Sequence, residues 1–204
     1  MGFSIAQYAA LRPTLWHLTH SQNLGLIRKT GLLMPAKRLT SASLDCPRRG
    51  RSVTPGIPVL RDQELLHEKC IEFESGYSMT DLLADLHKRV FFWSGWPNRP
   101  IRPGRDAIKR YGESDVVIRL AFLIVAENNT PYFTRCNSGA TRMQHGKPVS
   151  RGPKTFVEAL DSDFPPSNVV EVTFIEPVRL PPGGEVARCL EGPWESLFAD
   201  SVMP

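Results

Sequence analysis

The chain has 204 residues, a mass of 22.9 kDa, 41% hydrophobic and 23% charged residues, and a formal net charge of +4. Those values suit one globular domain with a core of its own and exclude a disordered chain, a collagen-like fibre or a coiled coil. Eighteen prolines and fifteen glycines break the chain into short elements, which suits a mixed α/β or β-rich fold better than a helical bundle.

Leu15-Trp16-His17-Leu18-Thr19 is apolar and partly β-branched, so it predicts a strand. A helix is expected next, with Ser21 as N-cap, Leu24 and Ile27 on one face, Arg28 and Lys29 in the last turn and Gly31 in the left-handed C-terminal position. Leu32 to Pro35 leaves it as an extended segment. The proline-rich stretch 35–62 reads as a long loop. Ser78 begins a second helix, with Asp81 closing a capping box and Leu82, Leu83 and Leu86 as its apolar stripe. Arg89 to Trp93 predicts a buried strand, and one helical turn is expected around Asp106 to Tyr111. Val116 to Val125 is apolar almost throughout, which predicts a single long strand central in its sheet. Tyr132 to Thr134 reads as a short strand, 137–153 as a polar loop, Thr155 to Leu160 as a brief helix and Val169 to Ile175 as a strand. Beyond Pro181 a loosely packed tail is expected, with Trp194, Leu197 and Phe198 docking on the body.

No run reaches 18 consecutive apolar residues and the first dozen residues lack the order of a secretory signal, so a cytoplasmic protein without a membrane partner is expected. Cys46, Cys70, Cys136 and Cys189 have no C-x-x-C spacing and no histidines at zinc-site distance. This argues against a disulfide framework or a structural metal and makes them small buried hydrophobes.

The charge is unevenly placed. Arg48, Arg49 and Arg51 form one basic patch, Arg99, Arg102, Arg105, Lys109 and Arg110 a second, and Arg135, Arg142, Lys147, Arg151 and Lys154 a third with no intervening acid. Such asymmetry suits a polyanionic partner, although solvated loops account for any one patch equally well. The phosphate-loop, dinucleotide-fold, zinc-protease and esterase motifs are absent. What stands out is His17 and Glu171 inside otherwise apolar strands. A carboxylate there either faces water at a sheet edge or is held in a cleft, because unpartnered burial costs several kcal/mol.

Leu15-Trp16-His17-Leu18-Thr19-His20-Ser21-Gln22-Asn23-Leu24, followed by Ile27 and Gly31-Leu32, resembles the first NAD-binding strand and helix of the ADP-ribosyltransferase superfamily of poly(ADP-ribose)-polymerase type. Val90-Phe91-Phe92 is similar to that group's second motif strand, and Glu171 in Val-Glu-Val-Thr-Phe falls where its catalytic glutamate belongs. The similarity is closest to the DarT-like nucleic-acid ADP-ribosyltransferases, which share a histidine-x-threonine-histidine-x-x-asparagine-leucine opening. Leu18 replaces the glycine after the histidine, Phe91 replaces a tyrosine, and the 48–51 loop aligns only loosely with the catalytic arginine of DarT-like enzymes.

The resemblance implies an α+β fold with a split β-sheet core and short flanking helices, formed as a single domain over 1–204 with 180–204 as its docking tail. It implies NAD as co-substrate, Glu171 with Arg49 and Arg51 as catalytic residues, and His17, Thr19, Asn23, Phe91 and Phe92 around the cofactor. It further implies that Arg135, Asn137, Arg142 and Arg151 meet a nucleic-acid acceptor, DNA or RNA. No metal is implied. Cleaving the nicotinamide bond develops an oxocarbenium-like ribose, which a carboxylate stabilises more in the transition state than in the ground state. The phenylalanines offer rings for nicotinamide, or simply pack in the core. A toxin or phage-defence effector fits this activity and admits an antitoxin or a reversing hydrolase as partner. The alternatives are an NAD-using RNA 2′-phosphotransferase and a non-catalytic nucleic-acid-binding module.

Overall fold

A capping box opens the chain: the Ser4 N–H donates to Gln7 Oε1 (2.8 Å) and the Gln7 N–H donates to Ser4 Oγ (3.1 Å), satisfying the first orphan donors of α1 (Ile5–Leu11). The computed structural model describes residues 2–40, 57–60, 66–111, 114–139 and 146–198. After α1 come β1 (Thr14–His20), α2 (Leu24–Thr30), β2 (Leu32–Leu33), α3 (Ala36–Thr40), β3 (Ile71–Phe73), α4 (Met79–His87), β4 (Arg89–Trp96), β5 (Arg99–Pro100) and α5 (Arg102–Tyr111). The chain continues with β6 (Asp115–Ala121), α6 (Phe122–Glu127), β7 (Pro131–Thr134), β8 (Val149–Arg151), β9 (Glu171–Ile175), β10 (Val178–Arg179), β11 (Glu185–Ala187) and β12 (Glu195–Ser196).

The fold is mixed α/β and compatible with α+β. Its main sheet runs in the order β12-β11-β6-β1-β4-β9-β7, with β5 paired to β4, and every ladder in it is antiparallel. One junction is unusually short. β1 pairs with β6 along its whole length, from Thr14 to His20, and β4 pairs with β9 from Arg89 to Trp93. β1 and β4 themselves pair only through Thr14, Leu15 and Trp16 against Gly95, Ser94 and Trp93. Beyond Trp16 the two strands part, and the sheet divides.

Alternation sorts the side chains by face. Val90 and Phe92 of β4, Val172 and Phe174 of β9 and Phe133 of β7 enter the main core. Tyr8 of α1 meets Phe122 and Phe133 edge-on at centroid distances of 5.0 and 4.8 Å, and Phe92 meets Phe174 at 5.6 Å. Arg89, Phe91 and Trp93 take the opposite face: Phe91 packs on a second cluster built from Ile71, Leu82, Leu86, Val149 and Phe156, Arg89 lies against Phe156, and Trp93 joins Trp16 and Val117 in a third.

Several expectations hold. Ser78 and Asp81 cap α4 reciprocally, and Gly31 ends α2 with φ 65°, a left-handed conformation that glycine adopts without a Cβ penalty. Others are corrected. The apolar run 116–125 is not one strand: it turns at Ala121 into α6, whose Phe122 and Val125 face inward at helical spacing while Leu123 and Ile124 are 49% and 46% exposed. The N-cap of α2 is Asn23 rather than Ser21, without a side-chain cap bond, and it follows a 3₁₀ turn over Ser21–Asn23 that His20 caps, its side chain accepting from the Gln22 N–H (3.2 Å). The segment 155–160 forms no helix; Pro153–Thr155 is a 3₁₀ turn, and Val157 bridges to Phe133. Residues 102–111 form a full helix rather than one turn. Cys189 is exposed rather than buried, and Cys70 and Cys136 are half-buried. Cys46 lies outside the described residues. No described helix is long and apolar enough to cross a membrane.

The C-terminal segment is part of the sheet rather than a loose tail. β11 pairs with β6 through Glu185, Val186 and Ala187, and Trp194 meets Trp16 edge-on at 5.6 Å. Arg119 lies 4.0 Å above the Trp194 ring and donates to both Glu185 oxygens at 2.7 and 3.0 Å. These hydrogen bonds, with the Arg119 charge, hold the Glu185 carboxyl below its ordinary pKa. Leu197 is fully buried against the main core. Leu197→Ala is therefore expected to lower unfolding free energy by about 2–5 kcal/mol, measured by urea denaturation. Leu123→Ala on the exposed face of α6 serves as the control, expected within about 0.5 kcal/mol of the parent. Equal effects of the two would show that the segment does not belong to the cooperative unit.

Candidate functional site: a cleft where the sheet divides

Where β1 leaves β4, each strand keeps its outer ladder, to β6 and β9, and loses the one between them, so the polar groups on the parted edges need other partners. His17, the first residue of β1 beyond the shared register, supplies one. Its Nδ1 lies 2.8 Å from the Phe91 carbonyl oxygen and its ring 5.4 Å from Phe92. A carbonyl only accepts, so Nδ1 carries the proton in this bond. The side chain acts as a wedge that fixes how far the strands diverge.

The gap forms a cleft lined by His17, Thr19, His20 and Asn23 on one wall and by Arg89 to Trp93 on the other, with Met34, Leu39 and Val59 closing it. The cavity volume is about 150 Å³, roughly the size at which an enclosed cavity accepts one six-membered ring. Five residues expected around a cofactor, His17, Thr19, Asn23, Phe91 and Phe92, therefore share one cleft. They do so in different ways. Asn23 spends its amide on the wall: Nδ2 donates to Thr19 Oγ1 and to the Val59 carbonyl, both at 3.0 Å, and Oδ1 accepts from the Val59 N–H at 2.8 Å. Gln22 Nε2 adds a bond to the Ile57 carbonyl at 2.7 Å. Thr19 and Asn23 thus hold segment 57–60 over the cleft.

Glu171 is not among the residues that line this cleft. It begins β9 directly opposite Trp93 and Thr134 and is only 1% exposed. Ser138 holds its Oε2 with both the backbone N–H (3.0 Å) and Oγ (2.5 Å), charge-assisted bonds that keep a buried carboxylate in place. Trp93, which lines the cleft, lies between Glu171 and the His17 wall in strand order and donates its indole N–H to Asn137 Oδ1 at 3.2 Å. Burial pushes the Cys136 thiol above its ordinary pKa, with Glu171 adding to the rise and Arg151 and Thr134 opposing it. A protonated thiol is no nucleophile.

The remaining expected residues are dispersed. Arg135 is exposed and Asn137 half-buried in the turn before Ser138. Arg151, expected on a nucleic-acid surface, is turned inward: it is 4% exposed and donates to the Ser150 carbonyl (2.8 Å) and the Asn137 carbonyl (3.4 Å). Arg49, Arg51 and Arg142 lie outside the described residues, as do Arg48 and the Arg61-Asp62-Gln63 cluster. No cluster of metal-ligating side chains occurs among the described residues.

Two cleft residues, Arg89 and Trp93, had no expected role, although both share the period-2 face of Phe91 and were visible in that alternation. Arg89 is 6% exposed, lies 4.7 Å from the Tyr132 ring and 4.2 Å from the Phe156 ring, and donates to Thr173 Oγ1 at 3.3 Å. Burial lowers its pKa against the opposing charge of Asp85. Asp85 itself is bound by Lys88 and by the Tyr77 hydroxyl at 2.7 Å. Ser138 had no local signal, because its bond to Glu171 spans 33 residues.

The Asn23 clamp makes a checkable claim about the cleft wall. Asn23→Ala is expected to speed hydrogen exchange at the Val59 amide by about tenfold or more, since that N–H loses its acceptor. Asn23→Asp keeps an acceptor oxygen and retains most of the protection. Unchanged exchange at Val59 in Asn23→Ala contradicts the clamp.

No curated protein matches the chain. A family model described as "Family of unknown function (DUF7002)" matches residues 13–180. That range takes in β1, β4 and β9 and so the whole cleft, and leaves out α1, β11 and β12. The chain belongs to this family, DUF7002.

Proposed function

We propose that the protein is an NAD-dependent ADP-ribosyltransferase, built on an ADP-ribosyltransferase-like split sheet, that modifies a nucleic acid. The observation that carries the proposal is the gathering of His17, Phe91 and Phe92 around one ring-sized cavity where β1 and β4 part. NAD, when bound, supplies a ribose–nicotinamide bond whose cleavage leaves positive charge on the ribose. The donor set of the cleft fits such a ligand. Phe91 gives an apolar wall for a flat ring, and His17, tied through Nδ1 to the Phe91 carbonyl, lines the same cavity. Thr19 and Asn23 hold the wall at 57–60 rather than offering unspent groups.

Glu171 is the one carboxylate on the strand next to the cleft-lining face of β4, presented by Ser138. Its catalytic part requires that Trp93 or the 137–138 turn give way, so that the carboxylate reaches the ribose. Arg135 and Asn137 stand in that turn and are placed to meet an acceptor entering from there. A toxin or defence role, with an antitoxin or reversing hydrolase, follows only if the acceptor is the cell's own nucleic acid.

The test is incubation with labelled NAD and, separately, DNA, RNA and total protein. Label retained by a nucleic acid with release of nicotinamide is expected. Glu171→Gln should slow release by roughly a hundredfold or more, and His17→Ala should weaken NAD binding by about tenfold. Wild-type protein that neither binds NAD nor releases nicotinamide overturns the proposal. Undiminished release by Glu171→Gln removes Glu171 from it, and label found only on protein overturns the acceptor.

A further inference from the structure

We infer that the face formed by β5 and the start of α5 is a binding groove for single-stranded nucleic acid, separate from the cleft. β4 turns tightly into β5, with Gly95 so close to the Arg99 carbonyl and Pro100 that any Cβ would clash. The Ile101 N–H donates to the Ser94 carbonyl at 2.9 Å, and α5 starts one residue later. This return brings Arg99, Arg102 and Arg105 alongside Trp96 and Arg12 in one concavity, and no acid among the described residues lines it. Arg102 and Arg105 lie three apart on one helix face. Asp106 is a loose and exposed partner of Arg102 at 3.6 Å, and such a pair neutralises little.

Two further observations point to a ligand. Arg12 lies 4.3 Å above the Trp96 ring, while its buried Nε and Nη1 make no hydrogen bond among the described residues. Trp96 is 38% exposed and has Arg99 5.6 Å from its ring. Four guanidinium groups around a half-exposed indole repel one another unless an anion lies among them. Guanidinium forks match phosphate oxygens. An indole beside guanidinium planes takes an unstacked base from its face, which a duplex does not present. An acidic peptide would satisfy the charges but leave the indole without a matching ring. Trp96 is three residues along β4 from Trp93 of the cleft, about 10 Å, and the groove and the cleft share no lining residue. Binding here does not depend on NAD.

The experiment is fluorescence anisotropy of labelled dT12 with the full chain, without NAD, over a range of salt, beside a 12-base-pair duplex and polyglutamate. Binding to dT12 should fall with salt, with a log–log slope of about −0.7 for each phosphate neutralised. Arg99→Gln and Arg102→Gln change exposed side chains and are each expected to reduce that slope by about 0.7. Trp96→Ala should weaken binding by about tenfold or more, and Trp96→Phe should restore most of it. A slope unmoved by both arginine substitutions, undiminished affinity in Trp96→Ala, or duplex or polyglutamate bound as tightly as dT12 would each overturn the inference.

Discussion

Three residue pairs hold the two halves of the main sheet together. Thr14, Leu15 and Trp16 of β1 face Gly95, Ser94 and Trp93 of β4, and the cleft depends on that ladder stopping there. A longer ladder would close the cleft, since backbone groups would pair with one another. A shorter one would leave the halves joined by side chains alone. The Trp16–Trp93 position ends the pairing, and His17 takes over with a bond to the Phe91 carbonyl, so the divergence is braced rather than left to solvent.

The bracing explains how polar residues are distributed. Buried polar groups persist when each has a partner, and around this cleft the partners come from distant segments. Asn23 reaches Val59, Ser138 reaches Glu171, and Arg89 lies against Tyr132 and Phe156 while donating to Thr173. The site is therefore walled by contacts that form late in sequence separation, on a sheet whose main core packs on the other face of β4. One face of β4 supplies stability through Val90 and Phe92. The other carries Arg89, Phe91 and Trp93, and its residues can change without emptying the main core.

Much of this was legible in the residues, where the governing interaction is local. Ser78-x-x-Asp81 specifies a helix start within four residues, Gly31 marks a left-handed stop, and Val169 to Ile175 alternates as a strand must. Ser4-x-x-Gln7 carried the same information for α1, and was readable by the same rule. The end of the β1–β4 ladder was not readable, because no local property of Trp16 or His17 says where a partner 74 residues away stops pairing. The turn at Ala121 failed for a related reason: Phe122 to Val125 is apolar in either period, and only the exposure of Leu123 and Ile124 in the folded protein distinguishes helix from strand. The placement of Glu171 was half legible. A carboxylate in so apolar a strand pointed to a sheet edge or to a held position, yet Ser138 as its partner, and Trp93 between it and the cleft, arise from sheet order alone.

The central claim is that the gap between β1 and β4 is a ligand site for a flat amide-bearing ring. Titrating nicotinamide into labelled protein and following the His17 imidazole and the Phe91 and Phe92 amides by NMR tests it most directly. Saturable shifts at these three positions, leaving the amides of β11 and β12 unmoved, are the predicted result. Shifts absent from all three, or centred on another face of the molecule, contradict it.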